Sequence, residues 1–126
     1  MKIASFSFIV PEYDPAIRFF CDVLGFELIA DIPQGHKRWV EVQAPGAETS
    51  VILARADGKR QETMIGNQGA GRVWLFLETH DFDRDHARLQ DKGIVFEEEP
   101  RVETYGKVAV FRDPFGNRWD LIEKYM

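Results

Sequence analysis

Near its start the chain alternates, with Phe6, Phe8 and Val10 on one side and Ser5, Ser7 and Ile9 on the other. That two-residue rhythm predicts a strand over residues 3–10, closed by Pro11. Asp14 followed by Pro15 predicts a helix start, because an aspartate caps free amides and a proline in the first turn gives up no hydrogen bond. Ala16, Ile17, Phe20, Val23 and Leu24 then recur at three- and four-residue steps, an apolar stripe that stops at Gly25. Three strand-like runs follow near 26–31, 38–43 and 50–55, parted by Pro33-Gln34-Gly35 and Pro45-Gly46. Residues 1–57 therefore read βαβββ.

Residues 58–72 hold Gly58, Gly66, Gly69 and Gly71 among polar residues with no sustained period. They read as a connection, long enough to be a candidate binding loop. The order then repeats over 73–126: a strand at 73–79, a helix capped near Asp81 and stopped by Gly93, and strands near 94–98, 107–112 and 117–123. The helix-start aspartates stand 67 residues apart and the stop glycines 68, which marks an internal duplication. The expected fold is one α+β domain over 1–126, in which two tandem βαβββ modules form a curved mixed sheet with a central cavity.

Charge narrows the partners. Sixteen basic and twenty-one acidic residues are interleaved to a net −5, with no basic block to grip a phosphate backbone, so nucleic acid is not an expected partner. No run approaches the roughly 20 apolar residues that span a bilayer, and no membrane partner is expected. The first residues lack the apolar run and cleavage site of a secretory signal, and the lone Cys21 has no partner for an internal disulfide. A reducing, cytoplasmic setting is expected, with Cys21 as a small core hydrophobe rather than a nucleophile.

Two strings carry a family resemblance. Phe19-Phe20-Cys21-Asp22-Val23-Leu24-Gly25-Phe26 and Asp113-Pro114-Phe115-Gly116-Asn117-Arg118-Trp119-Asp120-Leu121-Ile122-Glu123 resemble the helix end and closing strand of the glyoxalase/bleomycin resistance protein/extradiol dioxygenase group, the vicinal oxygen chelate superfamily. Both strings are structural: the glycine permits a left-handed cap, and Asp-Pro-Phe-Gly makes a tight turn. The resemblance implies that fold, a homodimer and, in the metalloenzymes, ligands from the first, fourth, fifth and eighth strands. Carried over residue by residue, those positions are Ser5, Leu53, Trp74 and Asp120. Only Asp120 is an ordinary ligand, since leucine and tryptophan offer no lone pair to a cation and a neutral serine is a poor donor. The three histidines do not replace them: His36 lies in a turn, and His80 and His86, six apart, diverge around a helix and read as surface. No metal cofactor is expected.

The strand faces turned away from the helices supply the candidate ligand-binding residues. They are Ser5 and Ser7, Trp74, Phe76 and Glu78, and Arg118 and Asp120, joined by Leu53 from the positions the resemblance implies and by Arg55 as a further charged candidate. Arg118 and Asp120, with Arg55 and Glu78, either hold the two ends of a zwitterionic or hydrogen-bonding ligand or bind one another in a salt-bridge network. Glu97-Glu98-Glu99 and Lys59-Arg60 read as solvated surface. The expected function is metal-independent binding of an aromatic or polar small molecule, similar to the bleomycin-resistance type, with Trp74 as a stacking platform. The alternative is an enzyme of the same group, a lyase, isomerase or dioxygenase with atypical ligands or metal-free acid–base chemistry by Asp120. A third reading makes the sheet face an assembly surface.

Overall fold

The computed structural model describes residues 1–125 and divides into two compact units, residues 1–65 and a second that opens at Gly66. The first runs β1 (Ser5–Val10), α1 (Tyr13–Arg18), β2 (Glu27–Gln34), β3 (Lys37–Gln43), β4 (Ser50–Arg55) and a short α2 (Lys59–Glu62). The second runs β5 (Val73–Glu78), α3 (Phe82–Asp91), β6 (Arg101–Glu103), β7 (Gly106–Arg112) and β8 (Arg118–Lys124). Each holds one four-stranded mixed sheet, ordered β1-β4-β3-β2 and β5-β8-β7-β6, so the class is α+β.

In the first unit β1 pairs in parallel with β4, which sets Phe6 beside Val51 and Phe8 beside Leu53. With Val40 and Val42 of β3 these residues make one apolar face, and it is closed by Ala16 of α1 and by Phe19 and Phe20. Phe20 meets Phe8, Phe19 and Phe26 edge-on at centroid distances of 5.1, 5.3 and 5.4 Å. Burial of each ring contributes about 2–3 kcal/mol.

The helix starts two residues earlier than Asp14-Pro15 predicts. Glu12 stands at the cap position with no side-chain bond, and α1 passes after Arg18 into a π-helical turn, Phe19–Val23, in which the amide of Leu24 bonds the carbonyl of Phe19. Asp14 instead accepts from Arg38 Nη1 at 2.9 Å, and the same guanidinium makes a bidentate pair with Asp31 and lies 5.1 Å over the Tyr13 ring. A charge-assisted tertiary bond displaced the local cap. Gly25 ends the segment at φ 81°, as expected.

In the second unit the duplicated pattern holds at the helix, where Asp81 accepts from the amide of Arg84 at 3.2 Å and Gly93 follows at φ 93°. It fails at 94–98, which forms no regular strand. Phe96 makes a single bridge to Phe111, and the amide of Val110 then goes to the Glu98 side chain at 3.2 Å, which ends the pairing; β6 begins only at Arg101. Phe82, Leu89, Phe111, Trp119 and Leu121 are buried under α3. His86 is not a surface histidine: it stacks between Phe82 at 5.4 Å and Phe96 at 4.1 Å. No helix among the described residues is long and apolar enough to cross a membrane.

Candidate functional site

Side chains at paired positions of neighbouring strands share a face, so sheet register decides which residues meet. On the open face of the first sheet, Ser5 stands beside Ser50, Ser7 beside Ile52, and Ile52 beside Glu41. Ser50 Oγ donates to Glu41 Oε2 at 2.6 Å and Trp39 Nε1 donates to Oε1 at 3.3 Å. Ser50 and Glu41 escaped the sequence reading, although Glu41 alternates with Val40 and Val42 and was open to the same period-two argument.

Leu53 and Arg55 are not on that face. Leu53 pairs with Phe8 in the helix-covered core and is 1% exposed; Arg55 pairs with Val10 on the same side. The Arg55 guanidinium lies 5.2 Å over the Tyr13 ring, donates to the His36 carbonyl at 2.6 Å and stands 3.8 Å from Glu12. A one-residue shift in counting along β4 reverses every side chain, and Ile52 is the position that accompanies Ser5 and Ser7.

The open face of the second sheet does gather Phe76, Glu78, Arg118 and Asp120. Phe76 stands beside Asp120 and Glu78 beside Ile122, with Val110 flanking Asp120 on β7. Phe76 is 65% exposed, whereas Asp120 is 9% exposed and its buried Oδ1 has no hydrogen-bond donor among the described residues. Burial holds the Asp120 carboxyl above the ordinary carboxylate range; Arg101 opposes that shift, Glu98 adds to it and Arg118 opposes it.

Arg118 and Asp120 do not pair with each other. Arg118 Nη2 reaches Glu97 at 2.8 Å, Arg112 Nε reaches the same carboxylate at 2.7 Å, and Arg101 joins Glu98 and Glu103, each at 2.7 Å. The expected mutual network of Arg118, Asp120, Arg55 and Glu78 is not formed among the described residues, and Glu97 and Glu98, expected as solvated surface, are structural partners of arginines. The hydrogen bond from Arg118 keeps the Glu97 carboxyl below its ordinary range. Glu97 faces arginines 15 and 21 positions away, which no local pattern shows, whereas Glu98 pairs with Arg101 three residues on.

Trp74 is the extra residue of a bulge in β5, between Val73 beside Arg118 and Leu75 beside Trp119. It borders a cavity of about 120 Å³ together with Gly66, Gly69, Arg72, Arg112 and Asn117. The connection 58–72 thus supplies a wall to this cavity. Cys21 is half-buried, and burial, with the charge of Asp22, pushes its thiol up, which disfavours the thiolate.

Asp120 has Phe76 and Val110 at its own level, Ser5 has Ser50, and among the described residues no group of three or more His, Cys, Asp or Glu side chains is placed to hold an ion.

The profile of the Glyoxalase/Bleomycin resistance protein/Dioxygenase superfamily matches residues 2–121. The chain belongs to this superfamily. Superfamily relatives include an uncharacterized protein of Shewanella frigidimarina, 48% identical over 97% of this chain and 93% of its own. A probable lactoylglutathione lyase of Synechocystis sp. is 29% identical over 90% of this chain and 88% of its own. Among solved superfamily folds, TnmS3, an antibiotic binding protein from Streptomyces sp. CB03234, aligns over 99% of this chain and 97% of its own, with 35% identity and a TM-score of 0.78.

Proposed function

We propose that this superfamily member binds an aromatic or polar small molecule without transforming it and without a metal. The observation that carries the reading is on the second sheet, where a largely exposed phenyl ring, Phe76, stands beside a buried carboxylate oxygen of Asp120 that lacks a donor. Exposed aromatic surface and an unsatisfied buried acceptor each cost free energy, and one ligand with a flat apolar body and a polar hydrogen relieves both. Glu78 lies on the same face. The likeness to an antibiotic-binding protein supports this reading. A cytoplasmic homodimer completes it: free Cys21 suits a reducing compartment, and Ile32 and Trp39, both exposed on the first unit, suit coverage by a second copy.

The test is equilibrium dialysis against a panel of aromatic antibiotics, with mass spectrometry of the recovered compound and light scattering for the assembly state. Saturable binding, intact ligand and indifference to EDTA are expected, with Phe76→Ala weakening binding about tenfold, the loss of one good aromatic contact. Chemical conversion of the compound, or binding that requires added metal, would move the lyase reading suggested by the Synechocystis relative to the front.

A further inference from the structure

The 120 Å³ cavity of the second unit is built by residues that the reading above does not use as its ligand-contacting set. Its wall is the segment 66–72, held against the rest of the unit by glycines. A Cβ on Gly66 would lie 2.0 Å from the Phe115 carbonyl oxygen, and one on Gly69 would lie 2.6 Å from Trp74 Cβ. Arg118 Nη1 donates to the Gly71 carbonyl at 3.1 Å and ties the same segment to β8.

Three arginines border the cavity, Arg72, Arg112 and Arg118. One carboxylate, Glu97, serves two of them, and the Arg72 side chain has no partner among the described residues, so three positive charges stand against one negative in a chain of net charge −5. Arg112 spends Nε on Glu97 and Nη1 on the Gly116 carbonyl, so its Nη2 donors are free.

A fourth bordering residue, Asn117, is 2% exposed, and its Oδ1 is buried without a donor. The amide cannot be turned over to relieve this. Its Nδ2 donates to Asp113 Oδ2 at 2.9 Å, and the reversed amide would set oxygen against that carboxylate, which already accepts from Trp119 Nε1 at 2.9 Å. The cavity therefore offers arginine donors and one residue whose acceptor lacks a donor, in the space of roughly four water molecules.

We propose that this cavity binds a small oxyanion that also carries a hydroxyl, a hydroxy-carboxylate or a monoprotonated phosphate group, with Arg72 and Arg112 holding the anion and Asn117 Oδ1 accepting the hydroxyl. Guanidinium groups match both kinds of oxyanion in bidentate geometry. The site stands independently of aromatic binding at Phe76.

Amide nuclear magnetic resonance shifts of the full chain, titrated separately with inorganic phosphate and with glycolate at constant ionic strength and pH, test it. Saturable shifts confined to residues 66–72 and 112–118 with either probe are expected, and the tighter probe identifies the source of the oxyanion. Arg72→Gln should weaken that probe about tenfold, and Lys59→Gln, the same charge change on α2, should leave it within twofold. Arg72 is exposed and unpaired, so its loss should leave the spectrum of the ligand-free fold in place. Shifts that never saturate with either probe, or equal weakening by both substitutions, would overturn the proposal.

Discussion

Asp120 is the residue whose charge the fold opposes. Its pKa is raised above the ordinary 3.8, so the folded chain holds the proton more tightly than the unfolded chain does. Stability contributed by this group is therefore present below the ordinary pKa and is lost as pH rises through the folded value. Asp120→Asn should raise the melting temperature by a few degrees at pH 7, and the gain should shrink toward zero below about pH 4, where the carboxyl is neutral in both states. Thermal unfolding at both pH values checks this. Retention of such an acid, where an amide is more stable, accords with a ligand role. Asp120 was legible as a site candidate because strand alternation and the resemblance agreed on it. Its partnerlessness was not, because Arg118, two residues away on the same face, turns to Glu97, twenty-one positions distant.

At the scale of elements, regular alternation and caps were readable wherever the determining contacts are local. Asp81 caps α3, both stop glycines take left-handed backbone, and β1, β3, β4 and β5 fall within two residues of expectation. Elements determined by distant partners were not readable. Asp14 left its cap for Arg38, Glu98 cut short the strand at 94–98, and the β1–β4 register placed Leu53 in the core. The segment 66–72 has no period, yet Gly66 and Gly69 are fixed by close approach. Gly66→Ala should destabilise the chain by at least about 2 kcal/mol, since alanine meets the Phe115 carbonyl and also takes up the φ of 70° that L-residues avoid. Urea denaturation measures it. Gly58→Ala, at a positive φ of 85° but in open space, should cost only about half as much.

For the whole molecule the duplication is the strongest message of the sequence, and the structure repeats it as two sheets of the same strand order. The halves share a framework and differ in what their open faces carry: serines and Glu41 in the first, Phe76 and a lattice of arginines and acids in the second. That lattice and the Arg38–Asp31 pair of the first unit set the acid response. The bond from Arg38 lowers the Asp31 carboxyl and that from Arg118 lowers Glu97, from ordinary values of 3.8 and 4.5. Their stabilisation is complete above those values and is lost as pH falls through the depressed folded ones, the opposite sign to Asp120. Stability should therefore decline on acidification below about pH 4.5, and Glu97→Gln should make the decline shallower while lowering stability at pH 7 by about 1 kcal/mol. Urea midpoints from pH 7 to pH 3 report both effects.

The turn after β7 has a consequence for how such chains are recognised. Asp113 is buried and accepts from the amides of Phe115 and Asn117, from Asn117 Nδ2 and from Trp119 Nε1. One carboxylate thus fixes the residues that spell the closing family signature, and Trp119 lies on the helix-covered side of β8 while Asp120 lies on the open side. The contacts that hold the turn lie on one side of that strand and the Asp120 carboxylate on the other. A chain of this kind can exchange what it carries at Phe76 while Asp113 and the residues bonded to it stay in place, so its pedigree is stable across changes of trade.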